Sequence, residues 1–402
     1  GTSCDVAVSL GRSGSGGARR RGGEVPVLDA LELGGHHLKV ASVDVHSVGA
    51  GGGTIARVDA GGLLRVGPRG AGSDPGPACY GRGGTEATAT DAHLVLGRLA
   101  PGPAAGGVLD LDDDRAVEAL ALGVGDPLGL TVEQAAAGVI TVLETHLRQA
   151  VETITVERGR DPTAMTLVAA GGAGGLHGSP VARALGCHHL VIPAQAGVFC
   201  ATGMLQAELR RDRSRSILGD LEELAGPSLA AAIGTEVETV RELVAQEWPT
   251  GVEPSIAHHV ELRYPGQLWS VRVPVETTSF PATTIRARFE DRYRSLYGHI
   301  QPEGRLEITG IGVVATGRLS EPEPERPRPQ PLGTPPPSGR RRCWLGPQAG
   351  WAEVAVHHQR DLRPGHHLDG PYLIDGETTT VLGLAGDRLS VVADGDLEVV
   401  LA

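Results

Sequence analysis

The chain is poor in aromatic side chains: Phe, Tyr and Trp together make up 3% of its 402 residues, and Met occurs twice. With so few rings, a platform that stacks unpaired bases on aromatic faces is excluded. Excess positive charge is also missing. Asp and Glu outnumber Lys and Arg by 48 to 36, leaving a formal net charge of -12, and a chain of that sign repels nucleic-acid phosphates and anionic lipid rather than neutralising them. No apolar run reaches the roughly 18 residues of a membrane span, and no charged-then-apolar leader opens the chain. The reading is therefore no nucleic acid and no membrane. The five cysteines, Cys4, Cys79, Cys187, Cys200 and Cys343, are scattered with no CxxC pair. Neither a zinc site nor a dithiol couple is encoded, and free thiols in a reducing cytoplasm are expected.

Glycine and proline are plentiful instead, at 59 and 28. Apolar residues at 40% suffice for real cores, which must be built from Ala, Val, Leu and Ile, and the length allows two or three domains. VAVSL reads as a short strand, and GRSGSGGARRRGG, residues 11–23, as a mobile loop with nothing to bury. TIARVD and LLRVGP read as a hairpin about residues 60–62. A long irregular loop then leads to a short helix from about Asp91, a suitable N-cap. Residues 130–159 carry the strongest helix signal: Thr131 and Gln134 match a capping box, and Gly159 with Asp161-Pro162 ends the run. A strand at 166–170, a glycine turn, a helix at 176–185 and a strand at 188–193 form an α/β unit of the kind whose switch point binds ligands. Helices near 226–247 and 283–297, with strands in HHVELRYPG and LWSVRVPV, predict an α+β module. The prolines of 321–339 remove donors and fix φ, so a linker or extended surface arm is expected. The tail reads as short strands. The resulting division is an α/β lobe over 1–217, an α+β module over 218–320, a Pro-rich linker over 321–340 and a small β module over 341–402.

Three glycine-rich segments could approach a ligand with bare backbone. In GTSCDV, Thr2 and Ser3 could supply hydroxyl donors to phosphate oxygens and Asp5 could reach a metal through water, although an ordinary turn has the same composition. In VAAGGAGGLHG, glycines sit between a predicted strand and a helix N-terminus. Its spacing matches neither a dinucleotide fingerprint nor a Walker loop, and tight strand-to-helix packing is an equal alternative. His177 there reads as a structural donor. In DVHSVGAGGGTIARVDAGG, Gly49, Gly51, Gly52 and Gly53 exceed what a hairpin turn needs. Asp44 and His46 flank them, on one face if the segment is a strand, and are too few for a metal cage. GSDPGPACYGRGG adds Asp74, Cys79 and Tyr80. A nucleophilic Cys79 would need a base or positive field, for which Arg82 and His46 are the candidates; the plain alternative is a cysteine that lines or supports the site.

Taken together, GTSCDV, DVHSVGAGGGTIARVDAGGLLRVGP, GSDPGPACYGRGGTEATATDAHLVLGRL, VERGRDP, VAAGGAGGLHG and PAQAGVFCATGM resemble the A subunit of the hydantoinase/oxoprolinase family. Weaker echoes in VELRYPGQ, FEDRYRSLYGH, EITGIGVVATG and LRPGHHLDGPYLID extend the resemblance over nearly the whole chain. It implies one lobe of an actin-like ATPase, of the sugar kinase, heat-shock chaperone and actin superfamily, followed by α+β and small β modules. It also implies that an N-terminal lobe completing the nucleotide clamp precedes residue 1, and that without it this stretch does not turn over ATP. Gly1, Thr2, Ser3 and Asp5 would hold phosphate and Mg²⁺, with Asp5 the metal residue. Gly171, Gly172, Gly174 and Gly175 would hold the adenosine side, Gly175 standing where the family has Pro. Gly51, Gly52 and Gly53 would face substrate, and Asp44, His46, Asp74 and Cys79 form the catalytic set. The implied activity is ATP-dependent opening of a lactam or imide ring through a phosphorylated amide, with a hydantoinase B-type partner subunit. ATP-dependent carboxylation of a ketone is the alternative, and an inactive remnant a third.

Overall fold

The computed structural model describes residues 1–9, 25–28, 31–33, 35–38, 42–275, 281–319 and 329–402. The segment 11–23, expected as a mobile loop, lies outside them, as do residues 321–328 of the Pro-rich run. The chain forms two compact units, Gly1–Ala201 with Glu325–Ala402, and Thr202–Pro324.

In the first unit, β1 (Cys4–Ala7) pairs antiparallel with β2 (Val45–Val48). The expected hairpin is formed by β3 (Thr54–Val58) and β4 (Leu64–Gly70). Asp59 closes its turn, accepting from the N–H groups of Gly61 at 2.9 Å and Leu63 at 3.0 Å and from Arg65 at 2.7 Å. The bond from Leu63 is the foremost reason its carboxyl lies below the usual range. Helix α1 (Ala89–Val95) has its cap three residues before the expected one. Thr88 is the N-cap, and Asp91 is the third helical residue, returning its carboxylate to the Thr88 N–H in a capping box. Helix α2 (Asp113–Leu120) and the long α3 (Val132–Ile154) follow, α3 with the Thr131–Gln134 capping box read from the sequence. Its buried stripe of Ala135, Ala136, Val139, Ile140 and Leu143 packs with Ala56, Val66, Ala89, Ala92 and Leu96. Next come β5 (Thr166–Val168), α4 (Gly174–Ala184) and β6 (His189–Ile192), with β5 and β6 parallel as the α/β reading requires.

The second unit begins with β7 (Leu209–Asp220), so the strand's first nine residues do not belong to the lobe to which the sequence reading assigned them. Helix α5 (Pro227–Glu247), β8 (Ser255–Arg263), β9 (Val271–Val275), α6 (Ala282–Tyr297) and β10 (Glu307–Gly317) complete an antiparallel sheet of order β7-β10-β8-β9 and its helices. The few rings of the chain are concentrated here. Tyr264 meets Phe289 edge-on at 5.2 Å and Tyr293 at 5.0 Å, among buried Ile and Val of β8 to β10.

The tail returns to the first unit. Residues 330–338 run along it as a surface arm, Leu332 donating to the Gly365 carbonyl and Ser338 to that of Val356. Strands β11 (Gly339–Trp344) and β12 (Trp351–His358) lead to β13 (His367–Asp369), β14 (Tyr372–Asp375), β15 (Thr380–Gly383), β16 (Arg388–Val391) and β17 (Leu397–Val400). One four-stranded sheet has the order β11-β12-β14-β15, and a five-stranded sheet has β5-β6-β17-β16-β13. The tail is thus not the separate β module expected over 341–402. At the centre of the five-stranded sheet, β17 buries Leu397 and Val399 and sets Val399 opposite Leu190 of β6, and Val181 and Ala182 of α4 complete their apolar cluster.

Candidate functional site

The three glycine-rich segments come together in the first unit. Gly53 donates its N–H to the Gly1 carbonyl at 2.9 Å. A Cβ on Gly51 would lie 2.8 Å from that same oxygen and 3.2 Å from the Ser3 nitrogen, and one on Gly53 would lie 3.3 Å from the Thr2 methyl. Gly51 and Gly53 are therefore taken up by close packing of the 51–53 turn on the 1–3 loop, a correction to the substrate-facing role expected of them. Gly52 differs. Its carbonyl accepts from both the N–H and the hydroxyl of Thr90 at 2.8 Å, and a Cβ there would stand 2.9 Å from the Thr90 oxygen and 4.0 Å from the Ala173 methyl of the third glycine segment.

That third segment bridges β5 and α4. Gly171 has φ +94°, and Ala173, at the N-cap, gives α4 no side-chain cap, which leaves first-turn N–H groups for an anion. The turn is held from the tail: the Thr379 hydroxyl donates to the carbonyls of Gly171 at 3.1 Å and Gly172 at 3.3 Å. A Cβ on Gly175 would meet the Thr380 carbonyl at 2.6 Å, and one on Gly174 the Ala169 carbonyl carbon at 3.5 Å. Gly175 is thus dictated by the approach of β15. Thr378 crowds Gly197 of the following loop in the same way. Sequence reasoning missed Thr90 and the Thr378–Thr380 run, because a lone threonine in a helix or tail turn carries no spacing signal.

The expected catalytic set does not assemble. Asp44 is buried and ion-paired with Arg158 of the VERGRDP segment, and it lies between strands, so the one-face argument with His46 does not hold. His46, opposite Val6 in β2, lines a groove of about 510 Å³ with Arg65, His146, Gln149 and Thr153. Asp74 is exposed in its loop. Cys79 is fully buried, its N–H bound to the Asp91 carboxylate at 2.8 Å. Burial first, and then the charge of Asp91, push its thiol far above the usual range, with Asp112 adding to the effect. Two carboxylates in place of a base or cation make it a supporting cysteine. Asp5 is exposed and accepts from Ser47 at 2.5 Å, and among the described residues no three His, Cys, Asp or Glu groups gather as a metal cage.

Beside the glycine turn lies a buried polar chain that the sequence reading did not assemble. His93 of α1 and His177 of α4 face each other, Nε2 to Nε2, at 3.1 Å. His177 Nδ1 is 3.3 Å from Glu144 of α3, which takes a hydrogen bond from Arg98 at 3.1 Å. Burial works to raise the Glu144 carboxyl, but the His177 bond and the Arg98 charge outweigh it and hold the group below the usual carboxylate range. Burial, then the proximity of His177 and of Arg98, keeps His93 well below the ordinary imidazole value.

Comparison with known proteins places this geometry. The hydantoinase/oxoprolinase family profile matches residues 2–213, and the profile of the hydantoinase/oxoprolinase C-terminal domain matches 233–392. The chain belongs to the hydantoinase/oxoprolinase family. Its relatives in the family include the caprolactamase subunit alpha of Pseudomonas jessenii, 30% identical over 97% of this chain and 56% of that one, and the 5-oxoprolinase 1 of Arabidopsis thaliana, 27% identical over 94% of this chain and 31% of that one. A nucleotide-free structure of acetone carboxylase, described in connection with ATP-dependent acetone carboxylation, superposes with a TM-score of 0.81 at 26% identity, over 94% of this chain and 56% of that chain. The mixed α/β fold is that of a partial hydantoinase lobe, as the sequence implied. The chain spans about half the length of the first curated relatives it matches, several of which are subunits of larger complexes. Among the described residues no helix is long and apolar enough to cross a membrane.

Proposed function

We propose that this chain is the phosphate-handling part of an ATP-dependent enzyme that opens a cyclic amide, a lactam or imide of the hydantoin or 5-oxoproline type, together with a hydantoinase B-type subunit. The observation that carries the reading is the convergence of the 1–3, 51–53 and 171–175 segments about Gly52 and Thr90. Main-chain donors and an uncapped helix start gather there with little side-chain bulk, which is what a polyphosphate requires.

The residues present fit ATP on the side of α4: Gly171 and Gly172 form the bare turn and the first turn of the helix supplies N–H groups. ATP supplies a phosphoryl group that turns the unreactive amide oxygen into one that can leave. Thr2 and Ser3 would orient phosphate oxygens, Gly52 keeps the floor of the site free of side chain, and Thr90 holds the Gly52 carbonyl out of the ligand's way. Asp5, a single exposed carboxylate, suits Mg²⁺ held chiefly by phosphate oxygens and water. Preorganised donors of this kind act through positioning and charge stabilisation.

Similarity to acetone carboxylase across 94% of the chain favours a second reading, ATP-dependent carboxylation of a ketone. The test is ATP turnover by the full-length polypeptide co-expressed with its partner, against a panel of lactams and hydantoins and against ketones with bicarbonate. Magnesium-dependent turnover stimulated by a lactam without bicarbonate supports the first reading; dependence on bicarbonate replaces it with the second; no stimulation by either panel in a folded complex overturns both.

A further inference from the structure

The buried chain Arg98–Glu144–His177–His93 takes no part in the chemistry above, yet it ties together the two elements that frame it. His93 lies one helical turn from Thr90, which binds Gly52, and His177 lies in the first turn of α4, next to the glycine turn. The two imidazoles pack with ring centroids 4.8 Å apart, each no more than 5% exposed.

The hydrogen bonds fix where the protons sit. Glu144 is ionised, so His177 Nδ1 carries a proton and donates to it. A neutral His177 then accepts at Nε2, and His93 Nε2–H is the donor between the rings. This leaves His93 Nδ1 as a bare lone pair, and that atom is indeed buried without a partner. The opposite assignment, with a cationic His177, would bury an N–H with no acceptor beside Arg98, at greater cost.

We propose that the His93–His177 hydrogen bond is a positioning latch that sets the spacing between Gly52–Thr90 and the 171–175 turn, and thereby the affinity of the site for ATP. The proposal rests on the reading given under Proposed function. The latch needs a single proton between the rings. Adding a second places two N–H groups head to head, so the latch opens on acidification. The groups facing the pair are Glu144 from α3 and Arg98 from the residues after α1. The depressed His93 value places the opening below pH 6.5, so the bond is intact at neutral pH and is lost as pH falls from there.

Three forms of the full-length enzyme with its partner test this: wild type, His93→Leu and His93→Gln, whose amide keeps a donor. Removing the donor leaves a buried acceptor unmatched, and the KM for ATP should rise about tenfold while kcat changes less than about threefold. The Gln variant should stay within about threefold of wild type and lose the acid rise in KM that wild type shows below pH 6.5. An unchanged KM in the Leu variant, or the same acid limb in wild type and Gln variant, overturns the proposal; should the Leu variant not fold, the two pH profiles decide. Histidine ¹⁵N spectra of the chain separate this from a failure of the ATP reading. With no turnover in wild type, a His93 resonance assigned through the Gln variant must still show Nε2–H and bare Nδ1 at pH 7.5, and the reverse tautomer overturns the latch.

Discussion

At the scale of single residues, chemistry-bearing side chains proved to be poor guides and glycines good ones. Cys79 invites a nucleophilic reading in a loop rich in glycine and proline, but its burial and its two carboxylate neighbours are properties of α1 and α2 that no local spacing reveals. In the native chain, iodoacetamide should modify the exposed Cys200 and spare Cys79, with peptide mapping as the readout. Cys79→Ala should keep activity and cost about 1–2 kcal/mol of stability from the lost packing. Asp44 misleads similarly, since its partner Arg158 lies 114 residues away. Gly52 and Gly171 were legible because an unusual density of glycine has few explanations other than close backbone approach. What that density could not tell is whether backbone or ligand makes the approach, and at Gly51 and Gly53 it is backbone.

Among the elements, the longest helix was read correctly for local reasons. Its capping box, apolar stripe and terminal glycine all act within a few residues of one another. Thr131→Ala removes the acceptor for the Gln134 N–H at 3.2 Å and should lower stability by about 1 kcal/mol, measured by urea denaturation, without moving the KM for ATP. The cap of α1 was misplaced by three residues because Asp91 and Thr88 are both good caps in isolation. Reciprocal bonding decides for Thr88 and frees the second Asp91 oxygen for Cys79.

For the whole molecule, the domain division was the least legible part, because the decisive pairings are remote. The tail alternates like any small sheet, and nothing in its pattern says that Leu397–Val400 will sit beside His189–Ile192. Ending the chain after residue 386 should therefore unfold the first unit, through loss of β16 and β17, and leave the second unit's helices intact. Limited proteolysis should then recover a fragment near 202–324; equal resistance of both units would refute the assignment. The clasp of Thr379 on the glycine turn gives this dependence a direction in time. A ribosome makes residue 171 some two hundred residues before the threonine that holds it, so during translation the turn has neither its clasp nor the sheet beneath it. A nascent chain cannot begin spending ATP before these later strands have emerged.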